Sequence, residues 1–372
     1  MGRVLPAAVL AVLLFACGGP GGVADGGAGG GVAGSGGGSS ATGGGVAGTG
    51  GGAATGGGAG GSGGSGGGST SSDAGPPVWF PLPSLPSPRQ ETGVAALGNE
   101  IFVVGGFNGQ GSMVPTVEAY DPVSSSWRDA GSLPIPLHHA NVAAVNGKLY
   151  VVGALGNAFA ALRVVYEYDP ATRQWSSKTQ LPAGTERGGG SVGVAGGNIY
   201  LAGGFRQGNA VADFSRYDPV ADQHVALTAL PAARDHLMGA MVGDLFFAIG
   251  GRRGGIAALD GRVDRFDVSR PDAGWSMAAP MLTARGGCSA GVSGTRIIVA
   301  GGEGNRSGPA SNVFPHVEVF DTVANTWSDA GVMRTPRHGT GGAVLNGVFY
   351  VPGGATIEGF GATDLVEAIP FP

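Results

Sequence analysis

From about residue 93 onward the chain repeats one rhythm of apolar and polar positions. Small residues come first, then a short polar turn, then a bulky apolar run ending at a glycine doublet. GVAAL-GNE-IFVVGG, NVAAV-NGK-LYVVG and GGAVL-NG-VFYVPGG are examples. Asn-Gly and Gly-Asn between apolar runs favour the positive φ angles of hairpin turns, so each unit predicts two antiparallel strands. A second hairpin follows in VEAYDPVSSSW, VYEYDPATRQW, FSRYDPVADQH, VDRFDVSRPDAGW and VEVFDTVANTW. Asp121-Pro122, Asp169-Pro170 and Asp218-Pro219 start its turn, Pro presetting φ and Asp capping the turn. The doublets begin at Gly105, Gly153 (here Gly-Ala), Gly203, Gly250, Gly301 and Gly353, which stand 48, 50, 47, 51 and 52 residues apart. Six such units predict an all-β propeller. Its inner strands are crowded and take small side chains, and bulkier ones belong further out.

Trp127, Trp175, Trp275 and Trp327 recur on the outer strand, with His224 at that place in the third unit. Their periodicity points to packing between blades rather than to platforms for sugars. Through the Gly-Gly, Tyr-Asp-Pro and Trp positions, essentially all of 78–372 resembles the kelch family. Gly153-Ala154, His224, Phe266-Asp267-Val268 and Phe320-Asp321-Thr322 depart from its pattern. The resemblance implies a six-bladed kelch-type β-propeller. The last unit stops after a third-strand candidate at 365–369, and Val78-Trp79-Phe80 matches the outer strand that begins at Ser126-Trp127. The last blade is therefore expected to be closed by the N-terminal strand of the domain, which removes an open edge.

Composition divides what precedes the propeller. Residues 1–16 carry one basic residue, Arg3, and an apolar run too short to span a bilayer, which reads as an export signal. Leu14-Phe15-Ala16-Cys17 resembles the lipobox of bacterial lipoproteins, which implies a lipid anchor on Cys17 and sorting to the outer membrane, on its periplasmic face or at the cell surface. Residues 17–77 are almost wholly Gly, Ala, Ser and Thr, with Asp25 and Asp73 the only charges. That composition cannot offset ordering entropy, so a disordered linker is expected, with a reach of roughly 40–45 Å. The net charge of −5 gives no electrostatic case for nucleic acid. With Cys17 acylated, Cys288 is left alone, so neither an intrachain disulfide nor a cysteine zinc site is expected.

Candidate chemistry gathers on one face. In a four-strand blade the long loops near 107–116, 155–163, 205–213, 252–262, 303–314 and 355–364 share a face with the junctions entering each inner strand, and loops on a rigid scaffold carry recognition. Sixteen residues before each doublet stand Arg89, Leu137, Arg187, Arg234, Arg285 and Arg337, and the loops of that face add Arg206, Arg252, Arg253 and Arg306. One reading is a basic rim around the axis for an anionic ligand. The other is that the repeated arginines anchor blades through backbone carbonyls or Glu118, Asp264, Glu318 and Glu367. His138, His236 and His338 enter alternate blades, but their registers differ by a residue, and His139 and His316 have less context, so no metal site is assigned. Cys288 reads as a small buried residue on an inner strand.

These observations favour a binding module over an enzyme. The expectation is a monomeric, membrane-tethered propeller without cofactor that presents its loop face to protein or glycan partners. The alternative is an exported sugar-processing enzyme resembling N-acetylneuraminate epimerase (a mutarotase). No nucleophile elbow, phosphate loop or zinc-helix motif is present. The galactose oxidase pattern, a kelch propeller with copper and a tyrosine–cysteine cofactor, is also unmatched.

Overall fold

The computed structural model describes residues 78–372, so the signal segment, Cys17 and the linker lie outside the described residues. Six four-stranded antiparallel sheets form the blades of a propeller. Blade 1 runs from the inner strand Gly93–Leu97 through Glu100–Val104 and Thr116–Asp121 to the outer strand Ser126–Ser132. The inner strands of blades 2 to 5 are Val142–Val145, Ser191–Ala195, Met238–Val242 and Ser289–Ser293. Blade 6 comprises Ala343–Leu345, Val348–Pro352 and Val366–Pro370, with Phe80–Leu82 as its outer strand. Phe80 stands opposite Ala368 and Leu82 opposite Val366. No α-helix occurs among the described residues.

The repeated residues explain why one blade seats on the next. A Cβ on the first glycine of a doublet would lie 2.7 Å from Leu137 O at Gly105, 2.7 Å from Arg285 O at Gly250 and 2.8 Å from Arg89 O at Gly353. Only glycine tolerates that approach at positive φ. The second glycine donates its N–H to the same carbonyl, as from Gly106 to Leu137 (2.9 Å), Gly302 to Arg337 (3.0 Å) and Gly354 to Arg89 (2.7 Å). At the periphery, the Trp127, Trp275 and Trp327 indoles donate to Pro83 O, Thr228 O and Ala279 O of the preceding blade. His224 performs the same task through Nε2 toward Thr179 O, at 2.9 Å, while stacking on Tyr217. The third-strand aspartates cap their turns, Asp121 accepting from Val123 N and Asp321 from Val323 N. Apolar clusters fill the seams between blades, for instance Phe102 and Tyr168 between blades 1 and 2, and Ile101 and Tyr350 between blades 6 and 1.

The five arginines expected at the mouth lie instead inside the blades, so the basic-rim expectation is corrected for them. Arg89, Arg187, Arg234, Arg285 and Arg337 are almost completely buried. Arg89 Nη2 pairs with Glu118 (2.6 Å), Arg234 with Asp264 (2.6 Å), Arg285 with Glu318 (2.5 Å) and Arg337 with Glu367 (2.7 Å). Their Nη groups also donate to backbone carbonyls such as Thr116 O, Gly250 O and Val351 O, while the Nε of each of the five has no hydrogen-bond partner. Buried guanidinium groups persist only with such partners, and the forked shape satisfies several at once. Blade 2 supports this account. Leu137 replaces the arginine there, and Tyr166, opposite Val151 as Glu118 is opposite Val103, replaces the carboxylate. Blade 3 is the exception, because Arg187 meets Ser215 Oγ (2.9 Å) and Leu201 O (2.8 Å) rather than a carboxylate. Burial lowers its pKa to about 10.

Candidate functional site at the axial mouth

Two residues beyond each arginine position, the chain turns around the propeller axis. The six residues there are Glu91, His139, Gly189, His236, Gly287 and Gly339, all with φ between 51° and 69°. Each N–H donates to the carbonyl of the previous one: His139 to Glu91 (2.9 Å), Gly189 to His139 (2.9 Å), His236 to Gly189 (2.8 Å), Gly287 to His236 (2.9 Å) and Gly339 to Gly287 (2.9 Å). Glu91 N donates to Gly339 O, and this last bond makes the ring continuous. Glycine suits the left-handed conformation, and a side chain there costs about 1–3 kcal/mol. Three members accept that cost, and their side chains are the ones that meet. His139 Nε2 lies 3.0 Å from Glu91 Oε2 and 2.9 Å from His236 Nε2.

A second tier of charge surrounds this trio. His236 Nδ1 donates to Asp235 Oδ1 (2.5 Å), which also faces Arg252 Nε (3.3 Å). Arg252 Nη1 reaches Glu303 Oε1 (2.7 Å), and Glu303 Oε2 lies 3.4 Å from His338 Nδ1. His138 Nδ1 meets His139 Nδ1, while His138 Nε2 faces Gly156 O at 3.0 Å. Burial pushes His138 down to about 4 and holds His139 well below the usual imidazole range. Burial also raises Glu91. It opposes the charges on Asp235 and Glu303 as well, but the neighbouring basic side chains and hydrogen bonds outweigh it and hold both carboxyls below their ordinary range. For Asp235 the side chains are His236 and Arg252, and for Glu303 they are His338 and Arg252. Clustered groups with displaced pKa values in a cleft mark working sites more often than structural ones.

Above this floor lies a cavity of about 100 Å³, and all six long loops contribute to it through Phe107, Phe159, Phe205, Ile256, Glu303 and Phe360. Phe159 and Phe360 pack against Phe107 yet remain 37% and 49% exposed. Phe159 sits at φ 58°, directly after Ala158 at φ 52°, so a strained turn holds that ring over the opening. The loop at 355–364 is pinned across the mouth. Gln90 Nε2 donates to Gly359 O, and Gly361 N and Gly359 N donate to Gln90 and Glu303. Below the ring the axial channel begins, and Glu91, His139 and His236 line both spaces.

Of the loop arginines, Arg252 alone lines this cavity. Arg206 is paired with Asp213, Arg253 with Asp260 and Arg306 with Glu358, so the loop face is charge-compensated rather than a basic funnel. His138, His236 and His338 do not assemble into one trio, because His138 and His338 stand one residue after the arginine position and His236 stands two after it. Sequence reasoning passed over Glu91 and set His139 aside. Their signal was a broken repeat: where three blades carry glycine at the ring position, three carry Glu, His and His. Cys288 is buried, donates to Gly301 O at 3.2 Å, and has its thiol pushed up to about 12 by burial.

Comparison with known proteins agrees with this architecture. The family model described as KLHDC2/KLHL20/DRC7 Kelch-repeats domain matches residues 79–251, and the Kelch motif model matches 284–333. The chain is similar to Kelch-like protein terF of Aspergillus terreus, 34% identical over 200 residues, which are 52% of this chain and 43% of that protein. It is also similar to Kelch-like protein 34 of Homo sapiens, 32% identical over 148 residues, 37% of this chain and 22% of that protein. The chain thus spans less than half the length of these relatives. Among solved structures, that titled "Structure of YjhT" superposes with a TM-score of 0.64 at 19% identity, covering 77% of this chain and 96% of that one. That likeness is one of fold.

Proposed function

Because the chain is a kelch-repeat six-bladed propeller, a fold that hosts many activities, we propose that it works as a ligand-binding head whose ligand enters the axial mouth. The ligand class we favour is a glycan-sized molecule with hydroxyl or carboxyl groups for the floor and an apolar face for the phenylalanines. One observation carries this reading. The charges that build the blades repeat from unit to unit, whereas Glu91, His139, Asp235, His236, Arg252, Glu303 and His338 occupy positions where at least two blades carry glycine, alanine or apolar residues. Burying that many ionisable groups off the repeat serves no blade and suits a ligand. In the same reading, Cys17 and the segment to residue 77 hold the head at a bacterial envelope membrane, and Cys17→Ser should release the protein into the soluble fraction.

The test is a glycan array and thermal-shift screen on the full chain, repeated with Phe205→Ala and Arg252→Met. A ligand whose binding is lost in both variants, without loss of the folded state, supports the site. Undiminished binding by both variants places recognition elsewhere. A second reading, the sugar-processing enzyme resembling N-acetylneuraminate epimerase, is favoured by Glu91 and His139 standing at hydrogen-bond distance beside the cavity. It requires proton NMR to show faster anomer interconversion of a sialic acid with protein than in buffer alone.

A further inference from the structure

The hydrogen-bond partners of the axial histidines fix which nitrogens carry protons. His138 Nε2 faces the Gly156 carbonyl, which only accepts, so that nitrogen is protonated and His138 Nδ1 is an acceptor. His139 Nδ1 faces that acceptor and must donate to it, which leaves His139 Nε2 a bare lone pair. His236 Nδ1 donates to the Asp235 carboxylate, which likewise leaves His236 Nε2 bare in the neutral ring. These two nitrogens point at each other across 2.9 Å, and Glu91 Oε2 lies 3.0 Å from the first. Three acceptor atoms therefore converge with no donor among them, all within 4.8 Å of one another. A single proton would satisfy one pair and leave the third atom facing another acceptor. A divalent ion satisfies all three.

We propose that Glu91, His139 and His236 bind a divalent first-row transition metal ion at the propeller axis. Two imidazoles and one carboxylate are a donor set for such ions. With metal–ligand bonds of about 2.1 Å, neighbouring ligands at right angles stand about 3.0 Å apart, so the separations of His139 from Glu91 and from His236 fit adjacent positions on one ion. The outer groups are arranged as a metal site needs them. Asp235 holds His236 by its other nitrogen and His138 does the same for His139, which fixes both rings and raises their basicity. The three ligands border the phenylalanine-lined cavity, so positions left open on the ion face incoming ligand. A second trio, Glu91 with Glu303 and His338, is less suited, because Arg252 already compensates Glu303.

The metal site rests on the axial mouth being the working site, and its test separates the two. Full-length protein without a histidine tag is stripped with chelator and titrated with Co2+, followed by visible absorption, and with Zn2+ by calorimetry. The expected result is saturable uptake of one equivalent and a higher melting temperature. Asp235→Asn should weaken uptake about 10–100-fold, and Glu91→Gln and His236→Ala should weaken it further. Cys288→Ser should leave it unchanged. No saturable uptake by the wild-type chain overturns the proposal whether or not the variants fold. Wild-type uptake by both Glu91→Gln and His236→Ala overturns it equally. Glycan binding that persists in a protein unable to take up metal removes the metal site alone. A protein that loads Co2+ but binds no ligand at the mouth removes the ligand reading alone.

Discussion

Replacing one member of a buried arginine–carboxylate pair should harm this propeller more than replacing both. Arg285 and Glu318 in blade 5 provide the test. Arg285 Nη1 lies 2.5 Å from Glu318 Oε1, with side-chain exposures of 0% and 2%. The same guanidinium donates to Thr283 O at 3.1 Å and Val299 O at 3.2 Å. Arg285→Leu leaves a buried carboxylate without its cation, which costs about 3–5 kcal/mol. Glu318→Tyr leaves the guanidinium buried without its anion, at a similar cost. The double variant places Leu and Tyr where blade 2 already carries Leu137 and Tyr166, with Tyr166 opposite Val151 as Glu318 is opposite Val299. It should therefore lie within about 1–2 kcal/mol of the parent, which makes the coupling energy on the order of 3 kcal/mol or more. Urea unfolding of the four proteins, followed by tryptophan fluorescence, measures the cycle, and Trp327 on the same blade supplies a local signal. Additive losses in the double variant would refute the view that these arginines serve as paired anchors inside blades.

Three further outcomes follow from the packing. Gly301→Ala would place a Cβ 2.1 Å from Arg337 O at φ 73° and should sharply lower the melting temperature. Gly294→Ala, at φ 55° with open space around it, should cost only about 1–2 kcal/mol, and equal losses would deny the doublet its spacing role. Trp79→Ala removes a buried ring set edge-on to Phe349 and should cost about 3–5 kcal/mol, as should deletion of 78–83, so a deletion mutant melting like the parent would contradict the edge pairing. Burial raises the Cys288 thiol from 9.0 to about 12, so the neutral form favours the folded state. Its contribution is fully present below pH 9 and is lost as pH rises toward 12, on the order of 4 kcal/mol in all. A Cys288→Ala protein should lack this part of the alkaline decline, and an identical decline in both proteins would count against it.

The fold was legible because it is written six times. Doublet, turn aspartate and tryptophan each recur at a place where the backbone of the next blade approaches, a turn needs capping, or a seam needs an aromatic ring. His224 was legible only as a gap in that series, and the structure shows an imidazole donating where an indole otherwise would. The arginines were legible as a series but not as to direction. Their spacing from the doublets is the same whether the guanidinium points toward the axis or into the blade, and the carboxylates that settle it lie about thirty residues downstream. The replacement of Arg and Glu by Leu137 and Tyr166 within one blade was the available sign. The axial trio was hardest to read. Three histidines in alternate blades suggested a set, yet set membership depends on register at single-residue resolution. The ring residues become neighbours only through a hydrogen-bonded circle contributed by all six blades.

That circle also gives the proposed site a firmer footing at the axis than the loop tips would. A closed ring of backbone hydrogen bonds fixes six α-carbons at one level, so any side chain placed on it is positioned by the whole propeller and not by one loop. Glycine is the economical occupant there, as Gly189, Gly287 and Gly339 show. An imidazole or carboxylate in its place accepts left-handed strain and burial together, and local packing recovers neither cost. Glu91, His139 and His236 are adjacent because blades 6, 1, 2, 3 and 4 hold them so. Mutations that loosen the ring without touching its side chains should therefore alter the chemistry at the mouth. Gly339→Ala, whose Cβ would lie 2.6 Å from Glu91 Oε1, is the sharpest instance. It should impair ligand and metal binding by displacing the Glu91 carboxylate, and unaltered binding in that variant would mean that Glu91 is not held where the chemistry requires it.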